Sequence, residues 1–303
     1  MTDPLIYFIP GTKEGFDRLF RLHTRLCQAD PAIPAWNEAA ILSGYQDKLI
    51  RGDAHFVLAS QQDTDTGYAW FQLYQDEFLL REIYLLPENK PQTTFSSLIR
   101  SGLEKIKDLG FLSCRYSGPG ADPLLAAALQ SCGFNLEEEH ILMEAELVRY
   151  PQETAGLKTQ TFAEIGDPGW LLDFIQECLE CRQVYDRQDM LDLIRRQDNL
   201  SFVAFENSQP AGFLTGEVPL AQKTGETPFY YVAEIGVSPR FRRQGYASRM
   251  LYEAFARAAR RGLLLAHLHV VSSNLPGLSL YRKLGFIESS RTGWWKYKYN
   301  GAV

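Results

Sequence analysis

Hydrophobic residues along this chain alternate between two spacings. Tyr230-Tyr-Val-Ala-Glu-Ile-Gly-Val237 is a run of β-branched and aromatic residues that stops before Pro239 and reads as a strand, whereas Ser248 to Arg261 places Met250, Leu251, Ala254, Phe255 and Ala258 at helical spacing. In the first half the same patterns predict strands at Leu5–Ile9, His55–Ala59, Gly67–Leu73 and Phe78–Leu85, with helices over Lys13–Gln28 and near Trp36–Ile50. A helix over Thr94–Leu109, a strand at Leu112–Tyr116, a helix over Pro123–Ser131 and a strand at His140–Leu147 follow. Val148 to Gly156 is polar, contains Pro151 and Gly156, and is expected to be a linker.

Beyond the linker the order returns. A strand near Lys158–Phe162, helices Trp170–Arg182 and Arg187–Gln197, and strands Phe202–Phe205 and Ala211–Glu217 lead through the loop Pro219–Thr227 to the strand ending at Val237. After the helix come a strand Ala266–Val271, a helix Pro276–Leu284 and a strand Trp294–Tyr299. Laid on itself, the chain matches Pro239 with Pro87, Asn274 with Asp122 and Gly285-Phe286 with Gly133-Phe134 at one constant offset of 152 residues. Constant spacing at weak identity implies two copies of one unit, expected at 1–150 and 157–303. Each is predicted to be a mixed α/β unit, a central sheet flanked by helices.

Between the strand ending at Val237 and the helix, Arg242, Arg243 and Gly245 form a short basic turn. Backbone N–H groups at a helix start carry partial positive charge, and residues as small as Gly245 and Ala247 let an anion's oxygens approach them. Neither a G-x-G-x-x-G nor a G-x-x-x-x-G-K-[ST] spacing is present, which excludes the dinucleotide fingerprint and the Walker loop.

Arg242-x-x-Gly245-x-Ala247 resembles the (Q/R)-x-x-G-x-(G/A) diphosphate motif of the GNAT superfamily of N-acyltransferases. Asn274 to Phe286 resembles that family's N-x(6)-Y-x-x-L-G-F segment. The resemblance implies two tandem GNAT-like domains and acetyl-CoA as co-substrate, with transfer of its acetyl (acyl) group to a primary amine of a small molecule or polypeptide. It implies strands that splay to admit the pantetheine arm. Co-substrate contacts are then expected at Ile235 and Val237, at Arg242, Arg243, Gln244, Gly245, Tyr246, Ala247 and Ser248, and at Asn274 and Tyr281. Tyr281 is the candidate general acid for the leaving thiolate, with positioning or packing as the alternative. Glu234 is the candidate base, although its counterpart Glu82 persists in the first copy and so suggests a structural duty; Tyr231, His267 and His269 are weaker candidates.

The first copy departs where chemistry is expected. Lys90, Pro91, Thr93, Phe95 and Leu129 stand opposite Arg242, Arg243, Gly245, Ala247 and Tyr281. Pro91 removes a donor and Phe95 fills the anion site, so this copy is expected to keep the fold without catalysis, the competing view being that it binds coenzyme A in an altered way through Lys90 and Gln92. This layout, with the motif intact only in the second copy, is similar to that of tandem members of the family. A module that senses acyl-CoA without transfer is the competing function, and retention of Tyr281 speaks for catalysis.

A length of 303 residues accommodates two cores, and a formal charge of −6 argues against a nucleic-acid binder and mildly for cationic substrates. Five cysteines and no apolar leader suggest a cytoplasmic chain, and no apolar cluster is long enough for a membrane span. No metal is expected. Cys178-x-x-Cys181 lacks a second ligand pair, and His267 with His269 lacks a third ligand.

Overall fold

Side chains alternate across a strand, so a strand buried on both faces needs apolar residues at successive positions. The computed structural model describes residues 4–36, 39–87, 92–119, 122–147, 157–180, 185–196, 200–219 and 227–299, the side chains of 39–42 and 119 excepted. The expected linker, residues 220–226 of the expected loop, Lys90, Pro91 and Cys181 lie outside the described residues.

The chain forms two compact units. The first comprises residues 1–140 with 291–303 and the second residues 141–290. In the first, strands β1 (Leu5–Phe8), β2 (Ala54–Gln61), β3 (Thr64–Tyr74), β4 (Glu77–Leu85) and β5 (Ser113–Pro119) are neighbours in that order. Helices α1 (Lys13–Ala29) and α2 (Ala39–Arg51) belong to a core with Phe56, Tyr68 and Trp70. Helices α3 (Gln92–Asp108) and α4 (Pro123–Ser131) belong to another with Val57, Ala69 and Phe71. Neighbouring residues of β2 and β3 thus enter different cores, as the pleat requires.

In the second unit, residues 141–146 of β6 (Asn135–Glu146) lie beside β11 (Leu265–Val271), followed by β10 (Phe229–Val237), β9 (Gln209–Glu217), β8 (Phe202–Glu206) and β7 (Lys158–Thr161). One core joins Phe202, Leu214 and Val232 to α8 (Tyr246–Arg260) and α9 (Leu275–Lys283). The other joins Val203 and Phe213 to α6 (Pro168–Cys178) and α7 (Arg187–Arg195). A single turn of helix, α5 (Phe162–Ile165), has no counterpart in the sequence reading. Met250, Leu251, Ala254, Phe255 and Ala258 of α8 are all fully buried, and Met250, Leu251 and Phe255 each contribute about 1.5–3 kcal/mol by leaving water.

The compact units differ from the 1–150 and 157–303 division in their last strands. The last strand among the described residues, β12 (Ile287–Lys298), pairs antiparallel with β5 from Thr292↔Pro119 to Lys298↔Ser113, inside the first unit. Residues 141–146, from the first sequence copy, serve the second unit. The exchange leaves β5 and β11 each with a partner on the side that would otherwise be an open edge.

Candidate active site

Two irregularities in β10 prepare the site. Opposite β9, the register runs Val232↔Gly216 and then Glu234↔Thr215, so Ala233 is an extra residue, a β-bulge. Opposite β11, parallel pairing covers only Phe229↔Leu265 to Val232↔Leu268, although both strands continue to Val237 and Val271. The strands therefore part at the bulge, which is the splay that the family resemblance implied and that no residue pattern foretold. Beyond Val232, one edge of β10 is released from the ladder.

The released strand runs into the basic turn. Pro239–Phe241 makes one 3-10 turn, Arg243 adopts φ 63° and Gly245 φ 83°, and α8 begins at Tyr246. No side chain caps this helix, so the N–H groups of its first turn have no capping acceptor. A Cβ built on Gly245 would meet no atom within 4 Å. Both properties of glycine matter here: the left-handed backbone favours it, and the space in front of the helix start stays open.

The side chains around the turn divide differently from expectation. Arg242, expected to hold the diphosphate, turns its guanidinium to protein acceptors: Nε donates to the Val237 carbonyl at 3.1 Å, Nη2 to the Cys178 carbonyl at 3.0 Å, and Nη1 to the Glu180 carboxylate. The physical reason is that α6 ends beside the turn with an unsatisfied carbonyl, which a basic side chain can satisfy. Ser238 Oγ adds a 2.8 Å bond to Glu177 Oε1, tying the same two elements. Gln244 Nε2 donates to the Arg240 carbonyl at 3.0 Å. The Tyr246 ring is buried edge-on against Phe241 of the turn. Arg243 is exposed. Ala247 and Ser248 are half-buried, and Ile235 and Val237 pack partly into the core shared with α8.

Asn274 also has another duty. Its Oδ1 accepts the Gly277 N–H at 3.0 Å and caps α9, while Asp122 caps α4 by accepting the N–H groups of Leu124 and Leu125 at 2.9 and 3.3 Å. Retention of a capping residue in both copies follows from the helix start. In the first unit Phe95, opposite Ala247, is buried in the core, as is Leu129, opposite Tyr281.

Tyr281, on α9, is 7% exposed and packs against Phe286 with ring centroids 5.9 Å apart. Burial, then the nearby Glu234 charge, pushes its pKa up to about 12. Burial, then the same carboxylate, raises Tyr231; burial also raises Tyr185, which the Thr215 hydrogen bond lowers and the Glu234 charge raises further. Glu82 in the first unit accepts the Tyr68 hydroxyl at 2.5 Å. By strand register Tyr68 corresponds to Phe213, so the two glutamates have different surroundings.

Tyr231 and His269 are joined at 3.1 Å, and His267 stacks on Phe229 at 4.1 Å. Burial lowers the His267 pKa, and Glu144 approaches it only to 3.8 Å. No cluster of three metal-ligating side chains occurs among the described residues. Burial pushes the Cys178 thiol up to about 12, so it is a thiol of the core.

Three residues at the bulge were missed: Ala233 itself, Thr215 and Tyr185. They line a cavity of about 270 Å³ with Leu193, Arg196 and Glu217. A bulge is a property of pairing between distant strands, and Ala233 continues the apolar run without a mark. A larger cavity, about 660 Å³, lies in the first unit between Tyr74, Arg81, Arg115 and Trp294.

Residues 169–286 match the Acetyltransferase (GNAT) family. The chain thus contains a GNAT acetyltransferase domain, and the class that fold and match define is an acyltransferase. Among curated proteins it is similar to the mycothiol acetyltransferase of Catenulispora acidiphila, 24% identical over 266 residues, covering 82% of this chain and 83% of that one. Among solved structures it shares its fold with a GCN5-related N-acetyltransferase from Sphaerobacter thermophilus (TM-score 0.65, 17% identity, 98% and 97% of the two chains). A tandem GNAT protein from the clavulanic acid biosynthesis pathway is similar over 99% of this chain and 100% of its own, with TM-score 0.56 and 12% identity.

Proposed function

We propose that the second unit transfers an acetyl group from acetyl-CoA to a primary amine of a small molecule or polypeptide by direct attack. The observation that carries this reading is the uncapped start of α8, held open by Gly245 at the end of a strand that has left its neighbour. N–H groups from Gly245 to Ser248, with the Arg243 guanidinium, would hold the diphosphate. The Arg242 side chain would stabilise the turn from behind. The first unit, with Phe95 buried where Ala247 stands and Leu129 in place of Tyr281, would have no part in the transfer.

The thioester would lie along β10 beyond Ala233, where an N–H released from the ladder can receive the oxyanion. The amine nitrogen attacks the carbonyl carbon, the C–S bond breaks, and the sulfur leaves with its electron pair. Glu234, directly or through water, would take the amine's proton. With Tyr281 near 12 and a simple thiol near 8.5, full proton transfer to sulfur is uphill by about 5 kcal/mol. Tyr281 therefore first serves the sulfur as a hydrogen-bond donor. A proton gained by Glu234 removes one of the two influences that raise Tyr281 and so eases the transfer.

Thiol release from acetyl-CoA, measured with ethanolamine, glucosamine, spermidine, lysine and a tripeptide with a free N-terminus, tests this reading. Amine-dependent release is expected, and Tyr281→Phe should lower kcat on the order of 10²-fold with little change in KM for acetyl-CoA. Release that never depends on an amine would refute acyl transfer to nitrogen. An unchanged kcat in Tyr281→Phe at every pH would remove Tyr281 from the chemistry.

A further inference from the structure

The bulge in β10 is held by a side chain. The Glu234 N–H donates to Thr215 Oγ1 at 3.0 Å, and the Thr215 hydroxyl reaches the Glu234 carbonyl at 3.5 Å. Thr215 is 1% exposed, and its oxygen also lies 2.9 Å from the Tyr185 hydroxyl. One threonine hydroxyl thus engages both backbone polar groups of residue 234 and a phenol from the segment preceding α7. A hydroxyl offers two acceptor sites and one proton, so this set is within its capacity. Tyr185, Thr215 and Ala233 also share the wall of the 270 Å³ cavity.

The first unit provides a comparison within the same chain. Its β4 is bulged at Arg81, between Trp70↔Glu82 and Phe71↔Leu80. By register Trp70 occupies the place of Thr215, and its indole nitrogen is buried without a hydrogen-bond partner. A bulge therefore forms without a hydroxyl opposite it. What Thr215 adds is a fixed orientation of the peptide at residue 234, just where the strand edge is released. The half of the chain with the intact turn and Tyr281 has this clamp, and the other half does not.

We propose that Thr215, held by Tyr185, is a positioning residue for acyl transfer: it sets the Glu234 peptide, and through it the edge of β10 from 234 to 237. The proposal rests on the acyl-transfer reading given above. It places neither residue on the reacting atoms. Thr215 acts through the peptide it holds, and Tyr185 through Thr215.

The test combines residue-resolved amide exchange at Glu234 with steady-state thiol release, using the fastest amine of the panel above. Thr215→Val keeps the shape and removes the hydroxyl. It should speed Glu234 exchange about 10-fold or more and lower kcat by a similar factor, with KM for acetyl-CoA within about twofold. Thr215→Ser restores the hydroxyl and should recover both values to within about threefold, and Tyr185→Phe should fall between Val and wild type. Unchanged Glu234 exchange in Thr215→Val overturns the clamp. A loss of kcat that Thr215→Ser does not recover overturns the positioning role. Wild-type protein that releases no thiol with any amine overturns the acyl-transfer reading instead, and the exchange arm then still decides whether the hydroxyl holds the bulge.

Discussion

Gly245→Ala separates the two duties of the residue before α8. A Cβ there meets nothing within 4 Å, so the free protein suffers no clash. The backbone, however, stands at φ 83°, where an L-residue costs about 1–2 kcal/mol. In a domain of this size that loss lowers the melting temperature by about 2–8 °C. The new methyl also enters the space in front of the helix start, and any relaxation of φ rotates the first N–H groups away. Each hydrogen bond to a charged group is worth about 1.5–3 kcal/mol, so losing one weakens coenzyme A between about tenfold and about 150-fold. Titration calorimetry with coenzyme A, and with pantetheine as a ligand lacking the diphosphate, measures this directly. Coenzyme A should weaken by that factor and pantetheine should not. If coenzyme A binds within about twofold of wild type while the melting temperature falls as stated, these N–H groups do not hold a diphosphate; if both ligands weaken equally, the turn acts only as a support.

Two further outcomes are expected. Arg242→Ala should cost on the order of 1 kcal/mol by leaving the Val237 and Cys178 carbonyls without their donor, yet leave coenzyme A affinity within about threefold, because the guanidinium faces α6; a loss of affinity as large as that of Gly245→Ala would restore Arg242 as a ligand. His23, buried against Trp36 and hydrogen-bonded to Tyr68 and Pro34, has its pKa lowered to about 4 by burial. An unfolded histidine binds its proton near pH 6.5, so this group's contribution is complete above that value and fades as pH falls toward 4, by about 3 kcal/mol in all. Urea unfolding of the full chain at stepped pH checks this, and a stability that stays flat from pH 7 to pH 4 would contradict it.

What could be read in advance followed local chemistry. The periodicity of Met250, Leu251, Ala254, Phe255 and Ala258 marks α8 because a helix must face its core every third or fourth residue. Arg242-x-x-Gly245-x-Ala247 marks the turn because the backbone there needs small residues. Features that depend on pairing between distant segments had no such mark. Nothing about Ala233 announces an extra residue, since one strand cannot show its partner's register. Arg242 and Asn274 fit a ligand-binding pattern, yet a nearby carbonyl and a helix start claim them first. No helix among the described residues is long and apolar enough to cross a membrane.

The exchanged terminal strands bear on how this polypeptide can be made. β5 waits for a partner that lies some 180 positions downstream, so an emerging chain carries an incomplete first unit until residues 292–298 have left the ribosome. Severing the chain within 148–156 would likewise strand each fragment without the edge that finishes it. Each sequence copy thus supplies the strand that completes the other copy's unit.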